Sequence, residues 1–349
     1  MAFLQTGAHT IVVSQGPLTP LAYPRPGSAA FFVPGFTLAP DGGWWLDAGG
    51  PSPRSFSRDE WRGRFHASPC PAPPLHWNGP DEGRFRAAFT SLQSRLESGV
   101  LRKGVPVTVM RAPLDEATAP ALFEHLLARV PDLPDTLMAY GFFRPARPGG
   151  AGTEFLIGAT PELLFDLAPG NRLLTMAVAG TRTVAEAPEE LEASPKDRDE
   201  HQSVVEDLLA QLSGWGPAVA TTTEVRRYGG LQHLVAEVHL AARTPLDFEA
   251  VARRLHPTPA LGVYPRGPAG SAWLESIDRE GERGRFGAPF GLRLPSGGGR
   301  CLVAIRCLQY RAGCLEIWAG CGVVSMSRYE AEWEEIGHKM NAVRTMWGV

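Results

Sequence analysis

The chain has 349 residues, of which 44% are hydrophobic and 20% charged, and its formal net charge is -3. This composition is typical of a globular protein with a sizeable core, and the charge argues against nucleic acid or an anionic membrane as a partner. No run of 18 apolar residues occurs, so no membrane span is predicted. The N-terminal stretch lacks the pattern of a signal peptide, and we expect a cytoplasmic protein.

The predicted elements begin with strands and loops. Residues 1–80 are rich in proline, glycine and aromatic residues and show no helical periodicity. Helices are then predicted over 81–99 and 116–130, on either side of a strand over 105–110. Further strands are predicted at 137–143, 154–158, 162–167, 172–178, 231–241, 301–310 and 314–320, with a flexible hairpin loop at 145–152. Without an internal repeat, a mixed body with mostly antiparallel strands fits better than repeated βαβ units.

Three later helices are predicted from their N-terminal sequences. SPKD (194–197) and TPLD (244–247) each supply a hydroxyl N-cap, a proline at the first helical position and an acid two positions later. SRYE (327–330) supplies a capping box without the proline. We therefore expect helices to begin directly after Ser194, Thr244 and Ser327.

The C-terminal helix carries acids beside its apolar face. The apolar positions recur every three or four residues, which predicts a core stripe of Trp333, Ile336, Met340, Val343 and Trp347. Glu332, Glu335 and Lys339 form a second stripe, rotated by roughly 100°. These three side chains are therefore predicted to lie at the edge of the buried face.

The helix that follows Ser194 has a similar arrangement. Asp197 and Glu200 are three residues apart, and the apolar line of Val204, Leu208 and Leu212 continues beside them. Two such pairs of acids can face each other across a cleft, where a hard divalent cation such as Mg²⁺ would neutralise them. The alternative is that both helices carry ordinary acids, favoured by the helix dipole or by solvent.

Five cysteines occur, at positions 70, 301, 307, 314 and 321. No CxxC pair is present, which argues against a zinc site. We interpret the cysteines as thiols on neighbouring strands in a reducing compartment.

Seven stretches in order resemble one enzyme family. They are ATPELLF (159–165), AVAGTR (177–182), SPKDRDEH (194–201), HPTPALGVYPR (256–266), VAIRC (303–307), WAGCGVV (318–324) and EAEWEEIGHK (330–339). Together they resemble the chorismate-utilising enzymes, which include isochorismate synthase, salicylate synthase and the large subunits of anthranilate and aminodeoxychorismate synthase. The resemblance spans residues 100–349, and residues 1–80 match only loosely.

The resemblance implies an α+β fold in which large, mostly antiparallel sheets are sandwiched by helices in four α/β/β/α layers. It implies one chorismate-binding catalytic domain over 1–349 and Mg²⁺ as the cofactor. Glu200 and Glu335 would ligate the metal directly, and Asp197 and Glu332 would orient metal-bound waters. The metal would hold the ring carboxylate of chorismate.

The resemblance also implies a set of substrate contacts, which are Gly180, Thr181, Arg306, Tyr310, Gly320 and Lys339. Arg306 and Gly320 would hold the enolpyruvyl carboxylate, for which the planar guanidinium of arginine is suited. Lys339 would be a second cation for the same dianion. Glycine at position 180 permits close approach of the backbone.

Isochorismate synthase adds water at ring C2 while the hydroxyl at C4 leaves, so it needs a base and an acid. The resemblance assigns the acid to Glu162, whose apolar flank favours the protonated form. It assigns the base to Lys103, which must be neutral, and Arg102 could help to lower its pKa. The alternative for Lys103 is a surface basic pair that ends a helix. His233 takes the position of an active-site histidine, although a buried structural histidine explains it equally well.

Several residues favour isochorismate synthase, an isomerase, within the family. Ala179 stands where aminodeoxychorismate synthases often carry a nucleophilic lysine, and HPTPA (256–260) looks like the isochorismate synthase form. Tyr264 and Arg266 depart from the usual pattern, and His256 is predicted to fix a loop. The product would feed menaquinone or a catechol or salicylate siderophore.

Three alternatives stay open at this point: a salicylate synthase, which also eliminates pyruvate; an ammonia-using anthranilate or aminodeoxychorismate synthase component with a glutaminase partner; and a chorismate-binding protein without turnover. We expect a monomer without a glutaminase, although the sequence does not reveal the oligomeric state.

Overall fold

A computed structural model describes residues 1–38, 45–49, 53–65, 72–146, 152–168, 171–278 and 281–349. Cys70 and the tip of the hairpin loop predicted at 145–152 lie outside the described residues. Among the described cysteines, Cys301, Cys307 and Cys321 are buried free thiols and Cys314 is a half-buried one. Within these ranges, no helix combines the length and the apolar character that crossing a membrane requires.

The strands of the described residues are, in chain order, β1 (Ala2–Gln5), β2 (Thr10–Val13), β3 (Pro20–Leu21), β4 (Ala30–Phe32), β5 (Trp45–Asp47), β6 (Arg54–Ser57), β7 (Lys103–Gly104), β8 (Val107–Pro113), β9 (Met138–Arg144), β10 (Glu154–Thr160), β11 (Leu163–Ala168), β12 (Arg172–Thr183), β13 (Ala218–Ala220), β14 (Glu224–Tyr228), β15 (Leu231–Ala241), β16 (Val263–Tyr264), β17 (Pro289–Arg293), β18 (Gly299–Val303), β19 (Cys307–Arg311) and β20 (Cys314–Gly320). The helices are α1 (Arg58–Arg64), α2 (Glu82–Glu97), α3 (Ala119–Arg129), α4 (Pro188–Ala193), α5 (Pro195–Leu212), α6 (Phe248–Leu255), α7 (Pro268–Ile277) and α8 (Tyr329–Trp347), with a 3-10 turn at Val130–Asp132.

Two large antiparallel sheets dominate the described structure. One has the strand order β6-β2-β1-β9-β10-β19-β20-β8, and the other has the order β13-β15-β12-β11-β18-β17-β4-β5-β3, with β14 paired to β15. Helices cover them: α2 packs on β8, α3 on β10, α5 on β12 and β15, and α6 on β11. The predicted α+β class with large antiparallel sheets is therefore confirmed. Helix α8 contacts both sheets, through β20 and β12.

The two sheets contact each other through a shared apolar core. Tyr140 on β9 packs against Phe290 on β17, with 5.0 Å between ring centroids. The Tyr140 hydroxyl also donates a hydrogen bond of 2.8 Å to the carbonyl of Ile305. Burying one such aromatic side chain stabilises the fold by about 1.5–3 kcal/mol. This contact holds the sheets together directly beside Arg306.

One of the three predicted helix starts is confirmed. The Ser194 side chain accepts a hydrogen bond of 3.3 Å from the backbone N–H of Asp197, and Pro195 takes the first helical position of α5. The start predicted after Thr244 is wrong, because α6 begins at Phe248. There the carboxylate of Asp247 caps the helix by accepting from the N–H of Ala250 at 2.9 Å.

The capping box predicted at Ser327 is also wrong. Helix α8 begins at Tyr329, and the preceding residue, Arg328, makes no side-chain cap. The Ser327 hydroxyl instead accepts a hydrogen bond of 3.1 Å from the N–H of Val324. The serine therefore closes the turn before the helix rather than capping the helix itself.

Two further predictions need correction. The strand predicted over 301–310 is interrupted between Val303 and Cys307, where Arg306 has a left-handed φ of 55°. Within the described part of residues 1–80 there is also a short helix, α1, which begins with a capping box between Ser57 and Glu60. Its seven residues are too few to display a helical periodicity.

Candidate active site

Helices α5 and α8 bring their acids to one cleft. Asp197, Glu200 and Glu332 are at most 6% exposed. The ammonium of Lys196 lies 3.1 Å from Glu332 Oε1, 3.2 Å from Glu200 Oε2 and 3.6 Å from Asp197 Oδ1. One cation therefore links carboxylates of both helices, and the two acidic faces meet as their spacing predicted.

Lys196 is a site residue that the sequence reasoning missed. Its one signal was the four-residue spacing to Glu200 on the same helix, which allows an ion pair. Burial lowers the pKa of Lys196, but the four surrounding carboxylates, led by Glu200 and Glu332, hold it well above its ordinary value. Lys196 is therefore a permanent positive charge inside the acidic cleft.

The donor atoms of this cleft suit Mg²⁺. No three His, Cys, Asp or Glu side chains converge into a ready-made metal cage in the described part of the chain, and Lys196 stands between the carboxylates. The cleft nonetheless presents carboxylate oxygens, the ligands that Mg²⁺ prefers. Glu332 Oε2 is buried and has no hydrogen-bond partner within the described residues. The residues present therefore fit a hard divalent cation.

Lys103 lies behind Glu200 in a fully buried position. Its side chain is 0% exposed, and its Nζ atom is 3.2 Å from Glu200 Oε1. Strand β7 holds it by pairing Lys103 with Tyr264 of β16. A Cβ atom at Gly322 would overlap the Glu200 carboxylate and crowd the Lys103 stem, so only glycine fits there. The alternative of a surface basic pair is therefore wrong for Lys103.

The environment of Lys103 shifts its pKa in the direction that a base needs. Burial lowers the pKa of Lys103, and the neighbouring Glu200 opposes the shift without cancelling it. The suggested help from Arg102 is wrong, because that guanidinium lies over the Tyr264 ring and pairs with Glu206 at 3.1 Å and Asp199 at 3.3 Å. Desolvation, rather than a neighbouring arginine, is the main cause.

Glu162 occupies the turn between β10 and β11. Its backbone is fixed at both ends, because its N–H donates to Thr160 Oγ1 at 3.1 Å and its carbonyl accepts from the N–H of Val303 at 3.1 Å. The side chain is buried beside Leu163 and Leu164. Burial raises the pKa of Glu162 to about 7, although Lys103, Lys339 and Arg306 oppose the shift. This carboxyl group is therefore poised to hold a proton at neutral pH.

Arg306, His233 and the bulged strand β12 form one hydrogen-bonded group. An Arg306 N–H donates to His233 Nε2 at 3.2 Å, and His233 Nδ1 lies 3.1 Å from the carbonyl of Gly180 and 3.2 Å from Thr181 Oγ1. Burial and the nearby Arg306 charge hold the pKa of His233 well below its usual value, so the ring is neutral. Burial lowers the pKa of Arg306 to about 10, which leaves it charged at neutral pH.

Lys339 joins α8 to the end of β20. Its ammonium donates to the carbonyl of Gly320 at 2.8 Å and lies 2.6 Å from Glu335 Oε1. A Cβ atom at Gly320 would come within 3.0 Å of the Pro106 carbonyl oxygen on the neighbouring segment. Glycine at this position therefore lets the neighbouring segment approach closely.

A central cavity is enclosed by most of these residues. Its polar walls include Glu162, Thr181, Glu200, His233, Arg306, Gly320 and Lys339, and its apolar walls include Leu261, Phe286, Trp318 and Val343. Asp197, Glu332 and Glu335 line the adjoining cleft between α5 and α8, and Gly180 contacts the cavity only through His233. The structure thus gathers twelve of the thirteen predicted site residues around one place.

Tyr310 is the exception and is wrong as a substrate contact. Its hydroxyl donates to the carbonyl of Leu114 at 3.2 Å, and its ring stacks on Phe155 with 5.3 Å between centroids. It follows Arg306 by four residues, which in a strand corresponds to about 13 Å. Lying on β19, the strand that begins directly after Arg306, therefore does not bring Tyr310 to the cavity.

The residues around HPTPA have structural roles. His256 Nε2 lies 2.8 Å from the carbonyl of Phe36, which confirms that His256 fixes a loop. The Tyr264 hydroxyl donates to Glu206 at 3.0 Å, and Arg266 pairs with Asp207 at 2.6 Å. The two unusual residues therefore attach β16, and with it Lys103, to helix α5.

Comparison with known proteins identifies the family. Residues 67–345 match the chorismate binding enzymes, and the chain belongs to that family. Isochorismate synthase EntC of Escherichia coli K12 is 30% identical over 275 residues, which cover 76% of this chain and 66% of EntC, just under two thirds of its length.

Solved structures show the same fold. DhbC from Bacillus anthracis superposes with a TM-score of 0.79 at 21% identity, covering 99% of this chain and 96% of that one. The menaquinone-specific isochorismate synthase MenF from Escherichia coli has a TM-score of 0.73 at 19% identity, covering 99% and 88%. The fold expected from the motifs is confirmed.

Proposed function

We propose that this protein is an isochorismate synthase, an isomerase that converts chorismate into isochorismate. The observation that carries the proposal is a pair of buried groups with opposite pKa shifts beside one cavity. Burial lowers the pKa of Lys103 and raises that of Glu162 to about 7. Water addition and hydroxyl loss require a base and an acid, and these two shifts favour the neutral amine and the protonated carboxyl group respectively.

In the proposed reaction, the Lys103 amine takes a proton from water as the water oxygen bonds to ring C2. Glu162 gives its proton to the C4 hydroxyl, which leaves as water, and the ring double bonds shift to compensate. Lys103 ends as an ammonium and Glu162 as a carboxylate, and proton exchange with solvent resets both. The reaction neither gains nor loses atoms overall, as an isomerase requires.

The remaining residues would hold the substrate. Arg306, supported by neutral His233, and Lys339 are the cations for the carboxylates, and Thr181 and Gly320 contact the ligand. Gly180 acts indirectly, through the contact of its carbonyl with the His233 ring. Mg²⁺ bound by Glu200 and Glu335, with Asp197 and Glu332 orienting its waters, would supply positive charge for the ring carboxylate.

Water as the nucleophile makes a glutaminase partner unnecessary, and we propose that the protein works without one. We also propose one catalytic domain over the whole chain. In its support, β1 pairs with β9 and β4 pairs with β17, so strands from the first 80 residues extend both sheets.

Incubation of the purified protein with chorismate and Mg²⁺ tests the proposal, with chromatographic identification of the product in the presence and absence of ammonium. We expect isochorismate under both conditions. Salicylate with pyruvate, an aminated product that depends on ammonium, or binding without any product would each overturn it. Tyr310→Phe is the control, because this residue lies outside the cavity and its variant should form the same product.

A further inference from the structure

Two additional cavities flank helix α8 and both adjoin the central cavity. The first, here called the basic cavity, has a volume of about 620 Å³. It is bounded by residues 129–137, by the turn at 228–231, and by the outer face of α8 from His338 to Met346. The second, here called the acid cleft, has a volume of about 440 Å³ and opens between the N-terminal ends of α5 and α8.

The two cavities carry opposite charge. The described residues that line the acid cleft include five carboxylates against three lysine or arginine side chains. Those that line the basic cavity include Arg129 and Arg306 against a single acid, Asp132. Asp132 is already paired with Arg62 at 2.9 Å, whereas Arg129 has no ion pair within the described residues. The fixed charges of the basic cavity therefore favour a dianion, whereas those of the acid cleft favour a cation such as the proposed Mg²⁺.

Arg306 connects the basic cavity to the reaction site, because this residue lines both it and the central cavity. The basic cavity is also large enough for a small cyclic ligand, since such sites usually measure about 300–1,000 Å³. Leu133, Leu137 and Met346 give it apolar walls against which a ring can pass.

We propose that the basic cavity is the entrance for the substrate dianion, which passes Arg129 and reaches Arg306 by this route rather than through the acid cleft. The inference rests on the proposed function, since it takes chorismate as the ligand. Arg129 attracts the carboxylates from solution, and Arg306 receives one of them at the inner end.

A matched pair of alanines on α8 tests the route. Ala342 lines the basic cavity and Ala331 lines the acid cleft.

Chorismate binding is followed in stopped flow through the fluorescence of Trp318, which lines the central cavity. An obstructed entrance slows association and dissociation together, so Ala342→Phe should lower both rate constants by about tenfold and leave Kd unchanged. Ala331→Phe should bind at close to the wild-type rates. Equal slowing in both variants, slowing in Ala331→Phe alone, or none in either overturns the inference.

Charge substitutions provide a second test that does not fill the cavity. Arg129→Gln should reduce the association rate several-fold at low ionic strength, and the difference should vanish at about 1 M salt, where charges are screened beyond about 3 Å. Arg129→Lys should restore the rate. A defect that persists at high salt, or that lowers kcat while kcat/KM is unchanged, contradicts steering by Arg129.

These outcomes separate the two proposals. Binding without turnover would overturn the proposed function alone, because the association rates would still identify the entrance. Normal turnover with unchanged association in Ala342→Phe and Arg129→Gln would overturn the entrance alone. Absence of any chorismate binding would overturn both.

Discussion

Glu162 and Glu200 are two buried glutamates that line the same cavity and titrate in opposite directions. Burial raises the pKa of Glu162 to about 7. Burial pushes the pKa of Glu200 upward as well, but Lys103, Lys196 and Lys339 bring it down to about 2. The Nζ atoms of Lys103 and Lys196 each lie 3.2 Å from a Glu200 oxygen, whereas Glu162 forms no ion pair with any described residue.

The comparison shows that the distance to a cation, rather than depth of burial, decides what each carboxyl group can do. Attraction between charges grows steeply as their separation falls in a weakly polar interior. Glu200 is therefore a fixed negative charge suited to a cation, and Glu162 is a proton carrier.

The largest effect is expected from Lys103→Met, which keeps the length of the side chain and removes the amine. We expect kcat to fall by about 10³–10⁴-fold, because the base is lost, while chorismate still binds. Product formation and equilibrium binding measure the two effects. Arg102→Met is the matched control, since its neighbouring side chain points to Glu206 and should leave kcat near the wild-type value. Similar activity in both variants would show that Lys103 is not the base.

Glu162→Gln is expected to lower kcat by about 10²–10³-fold. Because the protonated form of Glu162 is the proposed acid and its pKa is about 7, wild-type activity should decline as pH rises through that value. The decline should be absent from the residual activity of the variant, in which no proton is lost. A pH profile of kcat from both proteins measures this, and an alkaline decline of the same shape in the variant contradicts the assignment.

Lys196→Met tests the group of buried charges around Glu200. Removing a buried partner from clustered carboxylates should destabilise the protein by about 3–5 kcal/mol in EDTA. Added Mg²⁺ should recover much of this loss, so the Mg²⁺-induced rise in Tm should be larger in the variant than in the wild type. Arg86→Met, which breaks an exposed pair with Glu82, should leave both melting curves nearly unchanged. If Mg²⁺ shifts neither Tm, the cleft does not bind the metal.

The smallest effect is expected from Tyr264→Phe. Its hydroxyl contacts Glu206 rather than the cavity, and the backbone pairing that holds Lys103 does not need it. Both kcat and KM should therefore stay close to the wild-type values, as steady-state kinetics would show. A large loss of kcat would mean that the position of Lys103 depends on the Tyr264–Glu206 contact.

The sequence predicted the elements around the site better than the directions of individual side chains. The apolar period of α5 and α8 was enough to place Asp197 and Glu332 at the edge of a buried face. Lys196, one residue before Asp197, was missed because a flexible four-carbon side chain can point in many directions.

Two errors have backbone causes. The interruption at Arg306 was not predicted, because a left-handed conformation is rare for residues with a side chain and leaves no pattern in the sequence. Tyr310 was misplaced because it was predicted on one strand with Arg306, and a place on a strand does not say how far a residue lies from the cavity. Long-range packing, rather than local sequence, fixed both positions.

The left-handed backbone at Arg306 implies a trade-off between thermal stability and activity at this position. An arginine held at a φ of 55° costs folding free energy that a glycine would not. Arg306→Gly would therefore relieve the backbone while deleting the guanidinium, so thermal stability would rise as the proposed contact with a carboxylate was lost. A screen for thermal resistance alone would tend to select the wrong residue here.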